Sequence, residues 1–230
     1  MPNSTANPKK AKLMLKIDNL NVNIQKTSIL RDITMHLGTG EVAGLIGRNG
    51  AGKTTLLRAT MGLLPSSSGS ITFNDQDITS TPAHLRVRDH IGYMPEDRRL
   101  IPELSVEENI LVPAWSSKFP DVQARLSWVY ELMPEVASFS SRRAMQLSGG
   151  QQKLVALGRA LMCGSRLLLL DEPFEGIAPA LSRRLVEVLH TLKTEGQSIL
   201  LSESDYTHSA GLVDKVFVIE RGQVAEKKIS

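Results

Sequence analysis

A chain of 230 residues, 41% of them hydrophobic, is long enough to bury a substantial core and fits one large domain or a domain carrying a subdomain. The formal charge of +3 falls on scattered basic pairs, Arg98–Arg99, Arg142–Arg143, Arg183–Arg184 and Lys227–Lys228, and only 4% of residues are aromatic. Such pairs read as solvated faces, so no nucleic-acid partner is expected. One cysteine, Cys163, excludes a disulfide scaffold or a cysteine-rich metal site within the chain and reads as a small apolar core residue.

Residues 1–11 are polar and proline-containing, without the apolar h-region of a signal peptide, and are expected to form a disordered tail. From residue 12 onward the chain reads as one globular unit. "LKIDNLNVNI" and "ILRDITMHL" alternate apolar and polar residues as half-buried strands do. "EVAGLIG" is a short apolar strand that runs into a glycine-rich turn and the helical pattern "KTTLLRATMGLL", and "SGSITFNDQDIT" and "HIGYM" supply further strands. Between about residues 97 and 165 the patterns "SVEENILVPAW", "DVQARLSWVYELM" and "GGQQKLVALGRALMCG" are helical with little strand between them, which predicts an inserted helical subdomain. "RLLLLD", "QSILLSE" and "KVFVIERGQVAEK" return to strands, separated by the helical "PALSRRLVEVLHTLKTEG". This alternation predicts an α/β fold with a mostly parallel sheet covered on both faces. No apolar run approaches the roughly 18 residues of a membrane-spanning helix, so any membrane role is expected to come through a partner.

Three segments carry the chemistry. "GRNGAGKT", residues 47–54, satisfies the G-x-x-x-x-G-K-[ST] pattern between a strand and a helix. The glycines Gly47, Gly50 and Gly52 let the backbone around Arg48, Asn49 and Ala51 turn its amides onto phosphates, Lys53 adds a point charge, and the Thr54 hydroxyl, with Thr55 beside it, can meet Mg²⁺. A nucleotide triphosphate is the expected ligand. "RLLLLDEP" places two carboxylates at the end of an apolar strand, where Asp171 can support Mg²⁺ and Glu172 can orient or deprotonate a water. The third segment, "LSGGQQK" at residues 147–153, opens a helix with flexible residues and a serine, an end built to meet an anion.

Together these three segments resemble the nucleotide-binding subunits of ATP-binding cassette transporters, over the chain from about residue 12 to its end. The resemblance implies a P-loop NTPase core with an antiparallel β-subdomain and a helical signature subdomain, with ATP and Mg²⁺ as ligands. It also implies a second cassette chain, identical or similar, docked head to tail, so that Ser148, Gly149, Gly150 and Gln151 of one chain meet the γ-phosphate held by the other. Transmembrane permease subunits are the further expected partners, with a solute-binding protein involved indirectly, and the ATPase is placed on the cytoplasmic face of the membrane as a peripheral protein.

"YMPEDRRLIPELSVEENIL" and "DEPFEGIAPAL" are similar to the branched-chain amino acid and amide importer subgroup. By that resemblance Glu96 occupies a position that is glutamine in most cassettes, where it can approach the metal or the attacking water. Ile24 falls near the adenine-stacking aromatic, offering apolar contact without a ring. Ser204 aligns with the switch histidine and can bond phosphate without titrating. His208, a helical turn further on if that segment is helical, reads as a surface residue, and Arg98–Arg99 as a permease-docking surface. A non-transport cassette and a hydrolysis-poor regulatory subunit are the rival classes.

Overall fold

The computed structural model describes residues 12–117, 119 and 121–228, so the expected tail at 1–11 lies outside the described residues. The chain opens with β1 (Leu13–Ile24) and β2 (Thr27–Gly38), an antiparallel pair. In β1 the buried residues run Leu15, Ile17 and then Leu20, Val22, and the odd step between Ile17 and Leu20 is a bulge at Asn19, whose φ is +46. One extra residue there keeps both halves of the strand facing the same core. β3 (Val42–Ile46) leads into α1 (Lys53–Thr60), which stops just before Gly62 at φ +76. β4 (Ser68–Phe73) and the short β5 (Gln76–Asp77) complete a four-stranded antiparallel sheet in the order β2-β1-β4-β5.

After α2 (Ala83–Arg88) and β6 (Ile91–Met94) the chain becomes helical: α3 (Val106–Ser117), α4 (Val122–Leu132), α5 (Pro134–Ser138) and α6 (Gly149–Cys163). Local chemistry starts these helices. At α3 the Ser105 hydroxyl accepts from the Glu108 amide at 3.1 Å while the Glu108 carboxylate accepts from the Ser105 amide at 2.7 Å, a reciprocal cap. Asp121 caps α4 through the Ala124 amide. Gly158 lets α6 lie against α3 and α4, since a Cβ there would press on Ile110 and Val129 at 3.3–3.4 Å. The short α2 and α5 leave no periodic pattern in the sequence. Cys163 ends α6 in the core, where burial pushes its thiol up to about 12 and leaves it unreactive.

β7 (Leu167–Asp171), α7 (Pro179–Thr194), β8 (Ser198–Glu203), β9 (Lys215–Glu220) and β10 (Gln223–Lys227) finish the chain. The large sheet has the order β10-β9-β3-β8-β7-β6, parallel except for β10. Both faces are covered, which explains the unbroken apolar run of β7. Leu168 and Leu170 enter the core shared with α3, α4, α6 and α7, whereas Leu167 and Leu169 enter the core shared with α1 and the antiparallel sheet. Register decides the site: Ile46 pairs with Glu203, and Asp171 with Ser202, so the carboxyl ends of β3, β8 and β7 finish at one level.

Candidate active site

Glycine shapes the turn between β3 and α1. Gly52, the N-cap of α1, has φ +114, and a Cβ on Gly47 would lie 2.4 Å from the Ile219 carbonyl. A side chain at either position is strained or excluded, so the backbone can close tightly and leave the first amides of α1 free for an anion. Asn49, Gly50, Gly52, Lys53, Thr54 and Thr55 line a cavity of about 420 Å³. Ile24, Ile29, Glu96 and Glu172 line the same cavity. Gly47, Arg48 and Ala51 instead border a neighbouring cavity with Val218 and Ile219.

Lys53 is buried and its ammonium donates to the Gly47 and Arg48 carbonyls. It also pairs with Glu172 Oε1 at 2.9 Å, the two side chains being 5% and 7% exposed. Asp171 is fully buried and accepts from the hydroxyls of Thr54 at 3.1 Å, Ser202 at 2.8 Å and Tyr93 at 3.3 Å. Burial pushes its carboxyl above the usual range, and the three hydroxyls pull it back. The Ser202 oxygen in turn accepts from the Glu172 amide at 3.1 Å. Glu172 has φ +47, a left-handed backbone that costs a non-glycine residue about 1 kcal/mol. The Ser204 hydroxyl lies 3.0 Å from Glu172 Oε1 and 2.9 Å from Asn49 Oδ1. The cavity, a cation, two carboxylates and their hydroxyl partners therefore meet at the ends of three strands.

Residues 30–175 match the family model described as ABC transporter. The chain belongs to the ABC transporter ATPase family. Its relatives among known proteins include the high-affinity branched-chain amino acid transport ATP-binding protein BraG of Pseudomonas aeruginosa, 36% identical over 92% of this chain and 91% of that protein. The lipopolysaccharide export system ATP-binding protein LptB of Escherichia coli is 30% identical over 85% of this chain and 82% of that protein. A crystal structure of a nucleotide-free ATP-binding cassette from an ABC transporter superposes with a TM-score of 0.84 at 26% identity, covering 94% of this chain and 91% of that one. The chain is an ATPase whose hydrolysis is coupled to transport.

In this ABC ATPase the signature residues stand apart from the Lys53 cavity. Ser148 caps α6, its hydroxyl accepting from the Gln151 amide at 3.3 Å while the Gln151 side chain accepts from the Ser148 amide at 3.0 Å. Gly150 packs against Leu181 of α7, which a Cβ would meet at 2.6 Å. Gly149 borders a smaller cavity with Glu96, Arg98, Lys153 and Glu175. Glu96 thus touches both cavities, and burial pushes its carboxyl up, with Glu175, Asp171 and Glu172 adding to the effect.

His208 lies at the surface, as expected, in a stretch (residues 204–212) of turns and bends and not in a helix. Its ring stacks on Phe174 at 5.1 Å and its Nδ1 lies 3.5 Å from Glu203, although the side chain remains 42% exposed. Of the expected docking pair, Arg98 turns to α6 and donates to the Gly149 carbonyl at 3.2 Å, while Arg99 pairs with Asp97. Ser202, Tyr93, Ile29 and Lys153 escaped the sequence reading. For Ser202 a signal existed, a polar residue inside the apolar run "SILLSE", but its meaning depends on the β7–β8 register. No helix among the described residues is long and apolar enough to cross a membrane.

Proposed function

We propose that the chain hydrolyses Mg²⁺–ATP in a head-to-tail pair of cassettes on the cytoplasmic face of a membrane, powering a permease that imports branched-chain amino acids or related small solutes. The observation that carries the catalytic part is the buried Lys53–Glu172 pair beside the Thr54–Asp171 bond. Lys53 holds its charge where the glycine-rich loop offers amides, so an entering γ-phosphate competes with Glu172 for the ammonium. Exchange of that partner frees the Glu172 carboxylate to take a proton from water while Ser204 still orients it. Lys53 and the loop amides then bear on the charge that develops at phosphorus.

Thr54 and Asp171 offer two oxygens 3.1 Å apart, one of them charged. That donor set suits Mg²⁺, which takes one or two protein oxygens and completes its shell with phosphates and water. Held there, the ion would offset charge on the phosphate oxygens. Among the described residues there is no cluster of three or more His, Cys, Asp or Glu able to hold a metal, in keeping with a site that needs the nucleotide for its remaining ligands.

Ile24 and Ile29 line the same cavity and supply apolar contact for a base. Ser148, Gly149, Gly150 and Gln151 are proposed to complete the partner's site, since the capping box leaves the Gly149 and Gly150 amides unspent. The solute class rests on the likeness to BraG, whereas the likeness to LptB favours export as the second reading. Deleting the gene and measuring uptake of radiolabelled leucine and short amides decides between them. Loss of uptake, restored by the wild-type chain and not by Lys53→Ala, supports import; unchanged uptake with a defect in outward lipid transport overturns it.

A further inference from the structure

The ammonium of Lys153 is spent in an unusual place. Lys153 lies on α6, one turn after Gly149, and its residue is only 4% exposed. Burying a lysine is costly, and desolvation lowers its pKa from the ordinary lysine value despite the Glu175, Glu172 and Glu96 carboxylates nearby. Among the described residues it makes no ion pair within 4.0 Å. It gives two hydrogen bonds, both to backbone: it donates to the Glu172 carbonyl at 2.7 Å and to the Glu175 carbonyl. Both acceptors belong to the turn that follows β7, and the Glu175 amide itself returns to the Glu172 carbonyl at 3.2 Å.

Glu172 needs holding. Its φ of +47 is a conformation that persists only where surrounding bonds over-determine it. Ser202 holds its amide, Lys53 and Ser204 hold its carboxylate, and Lys153 holds its carbonyl. Three of these ties come from the strand ends and the phosphate loop. Lys153 alone comes from the signature helix, and its side chain starts on the same face as Gly149, since residues four apart stack along a helix.

The geometry points to Lys153 as a positioning residue for Glu172, a direct tie between the signature helix and the backbone of the carboxylate that acts on water. The inference rests on reading Glu172 as that carboxylate. A shift of the α6 N-terminus, wherever it originates, pulls on the Glu172 carbonyl through one side chain. In a head-to-tail pair the signature helix of each chain would then report its contact with the partner's nucleotide to the carboxylate of its own chain.

The test compares Lys153→Met, of similar length but without donors, with Lys153→Arg, which keeps them. Steady-state ATPase kinetics and the ATP-induced thermal shift are measured on the full chain, alone and in the Glu172→Gln background. Lys153→Met is expected to lower kcat tenfold or more while leaving KM and the ATP-induced shift within twofold, Lys153→Arg to recover part of the loss, and Lys153→Met to lower kcat no further once Glu172 is Gln. A kcat within twofold of wild type, or equal losses of nucleotide binding and turnover, overturns the inference. If Lys153→Met does not fold, Lys153→Gln, with one amide donor, carries the same test: a kcat at least threefold lower at unchanged ATP shift supports the tie, and an unchanged kcat removes it. Failure of the underlying reading shows separately, as full turnover in Glu172→Gln alone.

Discussion

Glu172 shows how much one residue depends on its immediate company. The carboxylate is paired to Lys53 and touched by Ser204, while its backbone is clamped in a left-handed turn. On its proposed role as the general base, Glu172→Gln preserves the loop and Lys53, so the thermal shift on adding ATP should persist while turnover falls by at least about a hundredfold. Ser204→Ala removes one hydrogen bond of about 0.5–1.5 kcal/mol and should slow turnover a few-fold to tenfold in the same assay.

Glu203 is the second instructive residue, because burial pushes its carboxyl up to about 7, with Asp205 and Glu172 reinforcing the shift and Ser209 opposing it. A carboxyl whose folded pKa lies above its unfolded value stabilises the fold fully below about pH 4.5 and loses that contribution as pH rises through 7. Wild type should therefore lose on the order of 3 kcal/mol from this group between pH 5 and 8, as an upper bound for the shift involved. Glu203→Gln keeps an acceptor for Ser209 and removes the titration. Its Tm advantage over wild type should grow from pH 5 to about pH 7 and level off towards pH 8; a constant difference would show that Glu203 titrates normally.

At the scale of elements, α1 is held from both ends. Its N-terminus grows out of the glycine-rich turn, and its C-terminus is closed by Arg86 of α2, a fully buried guanidinium. Arg86 donates to the carbonyls of Ala59 at 3.1 Å, Thr60 at 2.7 Å, Thr79 at 3.0 Å and Thr81 at 2.8 Å. The last-turn carbonyls of a helix have no partners of their own, so this one side chain ties α1 to the β5–α2 connection. Burial lowers its pKa to about 10, still cationic near neutrality. Arg86→Met removes the donor to the Thr60, Thr79 and Thr81 carbonyls, while the Ala59 carbonyl keeps the Gly62 amide, and should cost about 2–4 kcal/mol in urea unfolding, with Arg86→Lys recovering a part. An unchanged midpoint would mean that water satisfies the carbonyls.

Across the whole molecule, the separation of the Lys53 cavity from the start of α6 matters most. Lys53, Thr54, Glu96 and Glu172 share one cavity, whereas Ser148 to Gln151 open a helix elsewhere on the chain. If each signature serves a partner, pairing a Lys53→Ala chain with a Ser148→Arg chain leaves one composite site with both lesions and one with neither. Such mixed dimers should retain about half of wild-type turnover if the sites act independently, while each homodimer is nearly inactive. Mixed dimers as inactive as the homodimers would remove the head-to-tail arrangement.

What the sequence determined by itself is local. Glycines at 47, 50 and 52 announce a turn that only they can make, the unbroken run of β7 announces a strand buried on both faces, and the serine before two glycines announces a helix start. These properties follow from backbone sterics and from periodicity along a few residues. The short helices α2 and α5 carry too few turns for periodicity to register. His208 is at the surface, as its place in the sequence suggests, but it sits in turns and bends and not in a helix. Only the tertiary structure set Ser202 beside Asp171, Ile29 beside Ile24, and Lys153 under Glu172. Those neighbours come from strand order and from the packing of α6 against the turn after β7, which depend on how the whole chain buries its apolar faces, and no short stretch of residues encodes that.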